Sequence, residues 1–451
     1  MTNTLYLPEL REALAEGNAA ELHEFCTALH PARTAEFMEG LTAEEAWAVL
    51  QHAELPVRVE IFGFFAEEKQ IEIVETVGRS EMAEFVGELP PDDRVDLLGD
   101  VKPEIVEQLM PLIPADERRD IQRLSAYPED TAGAVMTTEF ARLSEDLPVG
   151  QALREVGRQA EQLETIYYLY VVDEEDHLRG LVSARQLVSA MGKPDTLIRD
   201  LMERDIITVN VSDDQEDVAD KVARYDLLAI PVVDDEYHML GIITHDDVID
   251  VVRDEAVEDA QRIAAVEPLD EGYLETGLLT LTRKRGIWLV ILFFGALLTA
   301  MALKGYEAEY ERFAWLVLFI PLVISTGGNS GNQSATLVIT ALSTGNITPP
   351  DWWHVIRREL WMGLMLGTFL GTLGFVCAVF MGIDAFSAIV IPITLLLVVL
   401  CGTLTGSVLP LVFSRLGWDP ALMSNPFVAG LIDLIGVIIY MSVAILLLGA
   451  G

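Results

Sequence analysis

The chain has 451 residues, 71 acidic and 30 basic, and carries a net charge of −41 although 51% of it is hydrophobic. Residues 1–270 hold 61 of the acidic and 22 of the basic side chains, so a strongly acidic half precedes an apolar, nearly neutral one. That charge argues against nucleic acid as a partner and against docking of the acidic half on anionic lipid, and no nucleophile–base pair or phosphate loop points to an enzyme.

The first residues, Met1 to Pro8, lack a basic segment and an apolar core, so no cleaved signal peptide is expected. Cys26, Cys377 and Cys401 lie too far apart for a disulfide framework or a zinc spacing. Residues 1–130 repeat a short helical theme, with acid-rich starts at Leu41-Thr-Ala-Glu-Glu, Leu89-Pro-Pro-Asp-Asp and Ile113-Pro-Ala-Asp-Glu. Acids in a first turn meet the favourable end of the helix dipole, and stacked short helices predict an α-superhelical domain. Caps and solvated faces explain such acids as readily as a ligand role does.

Residues 131–252 contain a clearer repeat. Val171-Val172-Asp173 recurs as Val232-Val233-Asp234, and Gly180-Leu-Val-Ser183 as Gly241-Ile-Ile-Thr244, both at an offset of 61. Each copy predicts strand, turn, strand and helix. The pattern resembles a tandem pair of CBS domains, modules that in their family pack as a pair and often bind adenine nucleotides. There an Asp three positions after the Ser/Thr contacts ribose; the second copy has Asp247, the first Gln186. ATP binding therefore stays open, beside a structural or metal-sensing pair.

From Asp246 a helix is expected to run toward the apolar half, with 253–280 as a connecting (plug) helix. Its acids include Asp246, Asp247, Asp250, Asp254, Glu255, Glu258 and Asp259. Many are three or four apart and share a face, where like charges repel by about 0.2–0.5 kcal/mol per pair. Such a helix is poised to respond to divalent cations; a merely solvated face is the alternative.

Residues 281–451 predict five membrane helices, over 287–303, 314–342, 361–383, 385–414 and 421–450, each near the ~20 apolar residues that cross a bilayer. Arg283-Lys-Arg285, Arg357-Arg358 and Arg415 alternate with acidic loops. The positive-inside rule places the acidic half in the cytoplasm and the C-terminus outside, in the plasma membrane. Gly363, Gly367 and Gly371, then Gly402 and Gly406, are spaced for close helix packing.

Two features suggest more than packing. One is the polar run Thr326-Gly-Gly-Asn-Ser-Gly-Asn-Gln-Ser334, where glycines are expected to loosen the helix and expose carbonyls, with Gly328, Asn329, Asn332 and Gln333 as pore-lining candidates. A polar cluster between helices is the alternative. The other is Asp433, the ionisable residue of the last span, with Ser424-Asn425-Pro426 upstream. A carboxylate at that depth costs about 2.5–3.5 kcal/mol on insertion scales, so it suggests a mobile cation or a proton. Mg²⁺ dehydrates reluctantly and is held through its waters by one or two carboxylates, which a symmetric dimer would supply. Soft metals would need Cys, His or Met clusters, which the spans lack.

Together these parts resemble MgtE-type magnesium channels over essentially the whole chain. The resemblance implies a homodimer in lipid, with Asp433 of both chains holding hydrated Mg²⁺ and Asn425 nearby. It further implies Mg²⁺ sensing by Glu60, Asp92, Glu216, Asp226, Asp247, Asp250, Glu255, Glu258, Asp259 and, in the loop before the last span, Asp419. Bound ions would draw the acidic parts together and close the pore. Two other readings stay open: a secondary transporter coupled to Na⁺ or H⁺, and a nucleotide-sensing scaffold.

Overall fold

A computed structural model describes residues 5–160, 163–269, 272–274 and 276–449. The chain divides into two compact units, Met1–Val252 and Arg253–Gly451.

The first unit opens with ten short helices: α1 (Leu7–Glu16), α2 (Ala19–Ala28), α3 (Pro31–Met38), α4 (Ala43–Leu50), α5 (Leu55–Gly63), α6 (Glu67–Thr76), α7 (Arg79–Gly87), α8 (Pro91–Asp100), α9 (Pro103–Leu109) and α10 (Ala115–Leu124). Proline in the first turn of α1, α3, α5, α8 and α9 supplies the required φ where no amide bond is lost. The three acid-rich starts are the first turns of α4, α8 and α10, and Thr42 with Glu45 closes a capping box on α4. From α3 onward helices pack on the helix two positions later, as α4 does on α6 and α6 on α8, which makes a superhelix. Its core is apolar, with Phe85 edge-on to both Trp47 and Phe62 at 4.9 Å.

The repeat follows as two three-stranded sheets. The first orders β1 (Phe140–Ser144), β2 (Thr165–Val172) and β3 (Leu178–Ser183); the second orders β4 (Val209–Asn210), β5 (Ala229–Val233) and β6 (Met239–Thr244). In each sheet the first pair is parallel and the second antiparallel. The offset of 61 survives as register, since Val171 faces Gly180 and Val232 faces Gly241. At Gly241 a Cβ would stand 2.6 Å from the Thr137 carbonyl oxygen, so no side chain fits there. Helices α11 (Val149–Gln159), α12 (Ala184–Ser189) and α13 (Gln215–Tyr225) complete the copies. The two copies meet at their hairpin turns, where the His177 and His238 rings stack with centroids 4.4 Å apart.

The connecting helix differs from the expected 253–280. Helix α14 spans His245–Ile263, beginning directly after β6. It stops because Ala265 takes a left-handed φ of 60° and the Gln261 side chain accepts from the Leu269 amide at 2.7 Å, just past Pro268, whose ring disfavours helix in the residue before it.

The second unit holds α15 (Leu278–Lys304), α16 (Glu307–Arg312), α17 (Leu316–Ser343), α18 (Trp352–Phe380), α19 (Ala385–Ala388), α20 (Val390–Arg415) and α21 (Asn425–Leu448). Four helical segments among the described residues are long and apolar enough to span a bilayer: those containing α15, α18, α20 and α21. The fifth expected span, α17, has 28 residues, but the polar run dilutes its hydropathy below the other four. Helix α20 is central, packing on α17, α18 and α21. Glycine makes this approach feasible: a Cβ on Gly367 would lie 2.9 Å from the Leu396 Cα, and one on Gly402 would lie 2.7 Å from the Gly327 carbonyl oxygen.

One expectation is corrected here. Residues 326–334 do not loosen the helix, for α17 is continuous through them. Their glycines serve contact instead, Gly327 meeting Ile432 and Val398, and Gly331 meeting Val428 and the Gly402 carbonyl. Pro426 lies in the first turn of α21.

Candidate functional site

Asp433 sits about two turns into α21, half-buried, with its Oδ1 3.4 Å from where a Cβ on Gly328 would stand. Gly328 therefore lies beside the carboxylate of the facing helix, at a distance where a methyl would make an ordinary contact. Asp433 has no hydrogen-bond or ion-pair partner among the described residues. One turn below Gly328, the Asn332 Oδ1 is buried without a hydrogen-bond partner among the described residues. Leaving such an acceptor unmatched costs about 1–3 kcal/mol. Asn329 Nδ2 donates to Ser325 Oγ at 3.3 Å, and Gln333 is exposed. Ser325, Asn329, Asn332, Gln333 and Thr336 follow helical spacing and form a polar stripe. Asn425 Nδ2 donates to Thr336 Oγ1 at 3.0 Å, which ties the start of α21 to that stripe.

Sequence reasoning missed Glu359. It lies on α18, and its Oε2 accepts from Ser334 Oγ at 2.6 Å. The only signal was an acid following Arg357-Arg358 at the edge of an apolar run.

In the first unit, Asp92, Asp93 and Asp96 of α8 face Asp246, Asp247 and Asp250 of α14 and Glu164 before β2, forming one acidic wall. Asp92 is buried, and its Oδ1 has no hydrogen-bond partner among the described residues. Burial first, then the Asp247 charge, raises its pKa well above the ordinary carboxylate range. The same two causes push Asp93 up to about 6 and Glu164 up to about 7. Asp96 rises to about 6 through burial, then Asp93 and Asp100. Asp247 rises through burial, opposed by its bonds from the Thr244 hydroxyl at 2.5 Å and amide at 3.2 Å. Gln186 holds the corresponding place in the first copy, accepting from the Ser183 amide and hydroxyl. Of the expected sensing residues the structure thus gathers Asp92, Asp247 and Asp250, and adds Asp93, Asp96, Glu164 and Asp246. These come from elements far apart in the chain, so their convergence had no local signal.

In the second unit, the last turns of α14 are bound at their acids. Asp259 Oδ2 accepts from Ser343 Oγ at 3.0 Å, and burial raises the Asp259 pKa, with Asp419 and Glu255 adding repulsion. Arg262 pairs with Glu258 and with Asp419, the latter at 2.5 Å. Arg262 was not anticipated, though its i,i+4 spacing from Glu258 was visible.

Glu60 is exposed on α5; Glu216 is an exposed first-turn acid of α13, and Asp226 caps that helix at a φ of 51°. Glu255 is half-buried on α14. Among the described residues no three His, Cys, Asp or Glu side chains converge closely enough to hold a metal ion directly.

Comparison with known proteins agrees with this layout. Residues 320–443 match a family described as "Divalent cation transporter", residues 29–130 match "MgtE intracellular N domain", and residues 132–193 and 198–254 match "CBS domain". Magnesium transporter MgtE of Thermus thermophilus is 38% identical over 444 residues, covering 98% of each chain. Magnesium transporter MgtE of Bacillus subtilis is 29% identical over 96% of this chain and 95% of its own. The crystal structure of the soluble part of a magnesium transporter superposes with a TM-score of 0.52 at 35% identity, covering 55% of this chain and 97% of that one. A second, the cytosolic domain of the Mg²⁺ channel MgtE in complex with ATP, gives a TM-score of 0.50 at 36% identity, over 54% of this chain and 98% of that one.

Proposed function

We propose, for a chain that belongs to the MgtE family of magnesium transporters, that it is a passive Mg²⁺ channel whose acidic cytoplasmic half closes the pore when intracellular Mg²⁺ binds. The observation that carries this reading is Asp433, a carboxylate beside Gly328 and left without a protein cation among the described residues. In a homodimer two Asp433 side chains would face one hydrated ion. Outer-sphere binding suits Mg²⁺, which keeps most of its waters. The amides of Asn332, Asn329 and Gln333, with Asn425 at the cytoplasmic end, would line the path.

Control follows from charge. At low Mg²⁺ the α8 and α14 walls repel; ions seated between them relieve that repulsion, and α14 carries the change to its bonds with Ser343 and Asp419. Ions act as a switch only if they prefer the closed arrangement. Glu60, Glu216, Asp226 and Glu255 complete the sensing set in this reading. ATP, which the solved relative binds, would meet Asp247 already engaged by Thr244, so a nucleotide role here is secondary. In this reading α17 is the fifth span and, by the positive-inside rule, the C-terminus lies outside.

Coupled transport is the second reading, favoured by Glu359, a further carboxylate on a spanning helix. Mg²⁺ flux into proteoliposomes separates the two. The channel reading expects current that follows the Mg²⁺ gradient at any Na⁺ or H⁺ gradient, and at least tenfold loss in Asp433→Asn. Flux that requires a Na⁺ or H⁺ gradient, or that survives Asp433→Asn, rejects it.

A further inference from the structure

Among the described residues helix α18 packs chiefly on α20. Gly363, Gly367, Gly371 and Gly374 face α20, while Trp361, Met365, Phe369 and Leu373 line a shallow apolar groove along its outer side. That groove runs from Trp361 to Val376, about 22 Å at 1.5 Å per residue, longer than the ~15 Å hydrocarbon depth of one leaflet. At its head a second, basic hollow shares Trp361 and Met365 and adds His354, Arg357 and Arg358. Arg357 stands one turn before Trp361, and Arg358 two turns before Met365, so charge and groove lie on one stripe.

These arginines are exposed and have no hydrogen-bond or ion-pair partner among the described residues, in a chain with 71 acids. The two carboxylates closest in sequence have partners of their own: Glu359 accepts from Ser334 on α17, and Asp351 accepts from the Thr348 amide and hydroxyl. Arg415, at the end of α20, lies over the Trp352 ring and donates to the Pro349 carbonyl. Trp352, Trp353 and Trp361 supply the aromatic belt expected at a membrane surface.

We propose that this face of α18 is a binding site for an anionic phospholipid, its phosphate held by Arg357 and Arg358 with His354 beside them, and one acyl chain lying along Trp361, Met365 and Phe369. The proposal rests on the membrane placement of α18 and is independent of ion conduction. Charge complementarity selects the occupant: a zwitterionic lipid would leave both arginines uncompensated by net charge, and a second protein would have to bring its own buried acids.

The test is native mass spectrometry of the full-length protein in detergent, titrated with phosphatidylglycerol or phosphatidylcholine of identical acyl chains. Phosphatidylglycerol is expected to bind at least tenfold more tightly. Each basic side chain at a membrane surface contributes about a fivefold gain in attraction to anionic lipid, so R357Q/R358Q is expected to weaken phosphatidylglycerol roughly thirtyfold and phosphatidylcholine little. If that double variant does not insert, R358Q alone is expected to give about a fivefold loss. F369A is expected to weaken both lipids alike. Equal affinity for the two lipids overturns the proposal. So does a phosphatidylglycerol preference that survives R357Q/R358Q but falls with R283Q/R285Q, or one displaced as well by inorganic phosphate as by lipid. Lost ion flux with retained lipid binding leaves the site standing and counts only against the channel reading.

Discussion

Arg262 on the last turn of α14 reaches Asp419, in the loop before α21, at 2.5 Å. The same guanidinium pairs with Glu258, so one fixed cation lies between two carboxylates proposed for divalent sensing.

Removing that cation should hand its place to the mobile one. R262Q leaves Glu258, Asp259 and Asp419 in mutual repulsion, so without Mg²⁺ the α14 segment is expected to be cleaved several-fold faster by protease. Saturating Mg²⁺ should restore protection, with the midpoint moved to higher concentration. An unchanged midpoint in limited proteolysis would show that Arg262 and Mg²⁺ do not share these acids.

The acidic wall predicts an inverse pH dependence. Asp93 and Asp96 are raised to about 6 and Glu164 to about 7, so the folded state holds more protons than the unfolded one between about pH 4 and 7. Stability therefore falls as pH rises through that window and levels off above it. All three are exposed to solvent over more than a third of their surface, so screening reduces the effect. In divalent-free buffer the melting temperature is expected to rise by a few degrees from pH 7.5 to 5.5. Adding millimolar Mg²⁺ at pH 7.5 should recover most of that gain. A melting curve indifferent to both would contradict the wall as a cation-responsive element.

Two adjacent glycines should separate conduction from folding. Gly328→Ala adds a methyl in ordinary contact with the Asp433 carboxylate, so the protein should fold while Mg²⁺ flux drops several-fold. Gly327→Ala drives its methyl into Val398 and to 2.8 Å from Ile432, an overpacking that costs about 1–3 kcal/mol. Thermal stability and flux measured side by side decide. If G328A destabilises as much as G327A, Gly328 is only a packing residue.

Asn332 offers a similar division. Its unmatched Oδ1 should make Asn332→Leu no less stable than the parent, while ion flux falls because an oxygen is lost from the stripe. Full flux in N332L would remove Asn332 from the path.

Where the chain's own pattern determines structure, the sequence was a good guide. The offset of 61 predicted two matching hairpins because strand register follows side-chain alternation, and first-turn acids marked α4, α8 and α10. Asp433 stood out because a carboxylate in an apolar run has one physical meaning, a cost that something must offset. Glycine is different: its density in 326–334 is equally consistent with an unwound segment and a closely packed one, and only the positions of Val398, Ile432 and Gly402 decide. The end of α14 at Ile263 depended on a left-handed Ala265, which no propensity signals. Asp419 lies 157 positions from Arg262, and Glu164 far from Asp247, so both meetings belong to the tertiary fold.

The glycine contacts between α17 and α20 also limit how the membrane unit can move. Where Gly327 and Gly331 lie against Gly402, and Gly406 against Gly331, backbone touches backbone, with the Val398 side chain set beside Gly327. Turning α17 about its axis would carry bulkier side chains into that seam, while moving the two helices as one plate disturbs nothing between them. On its other side α17 meets α21 just as closely, Gly327 against Ile432 and Gly331 against Val428, so a larger side chain at either glycine would wedge three helices apart at once.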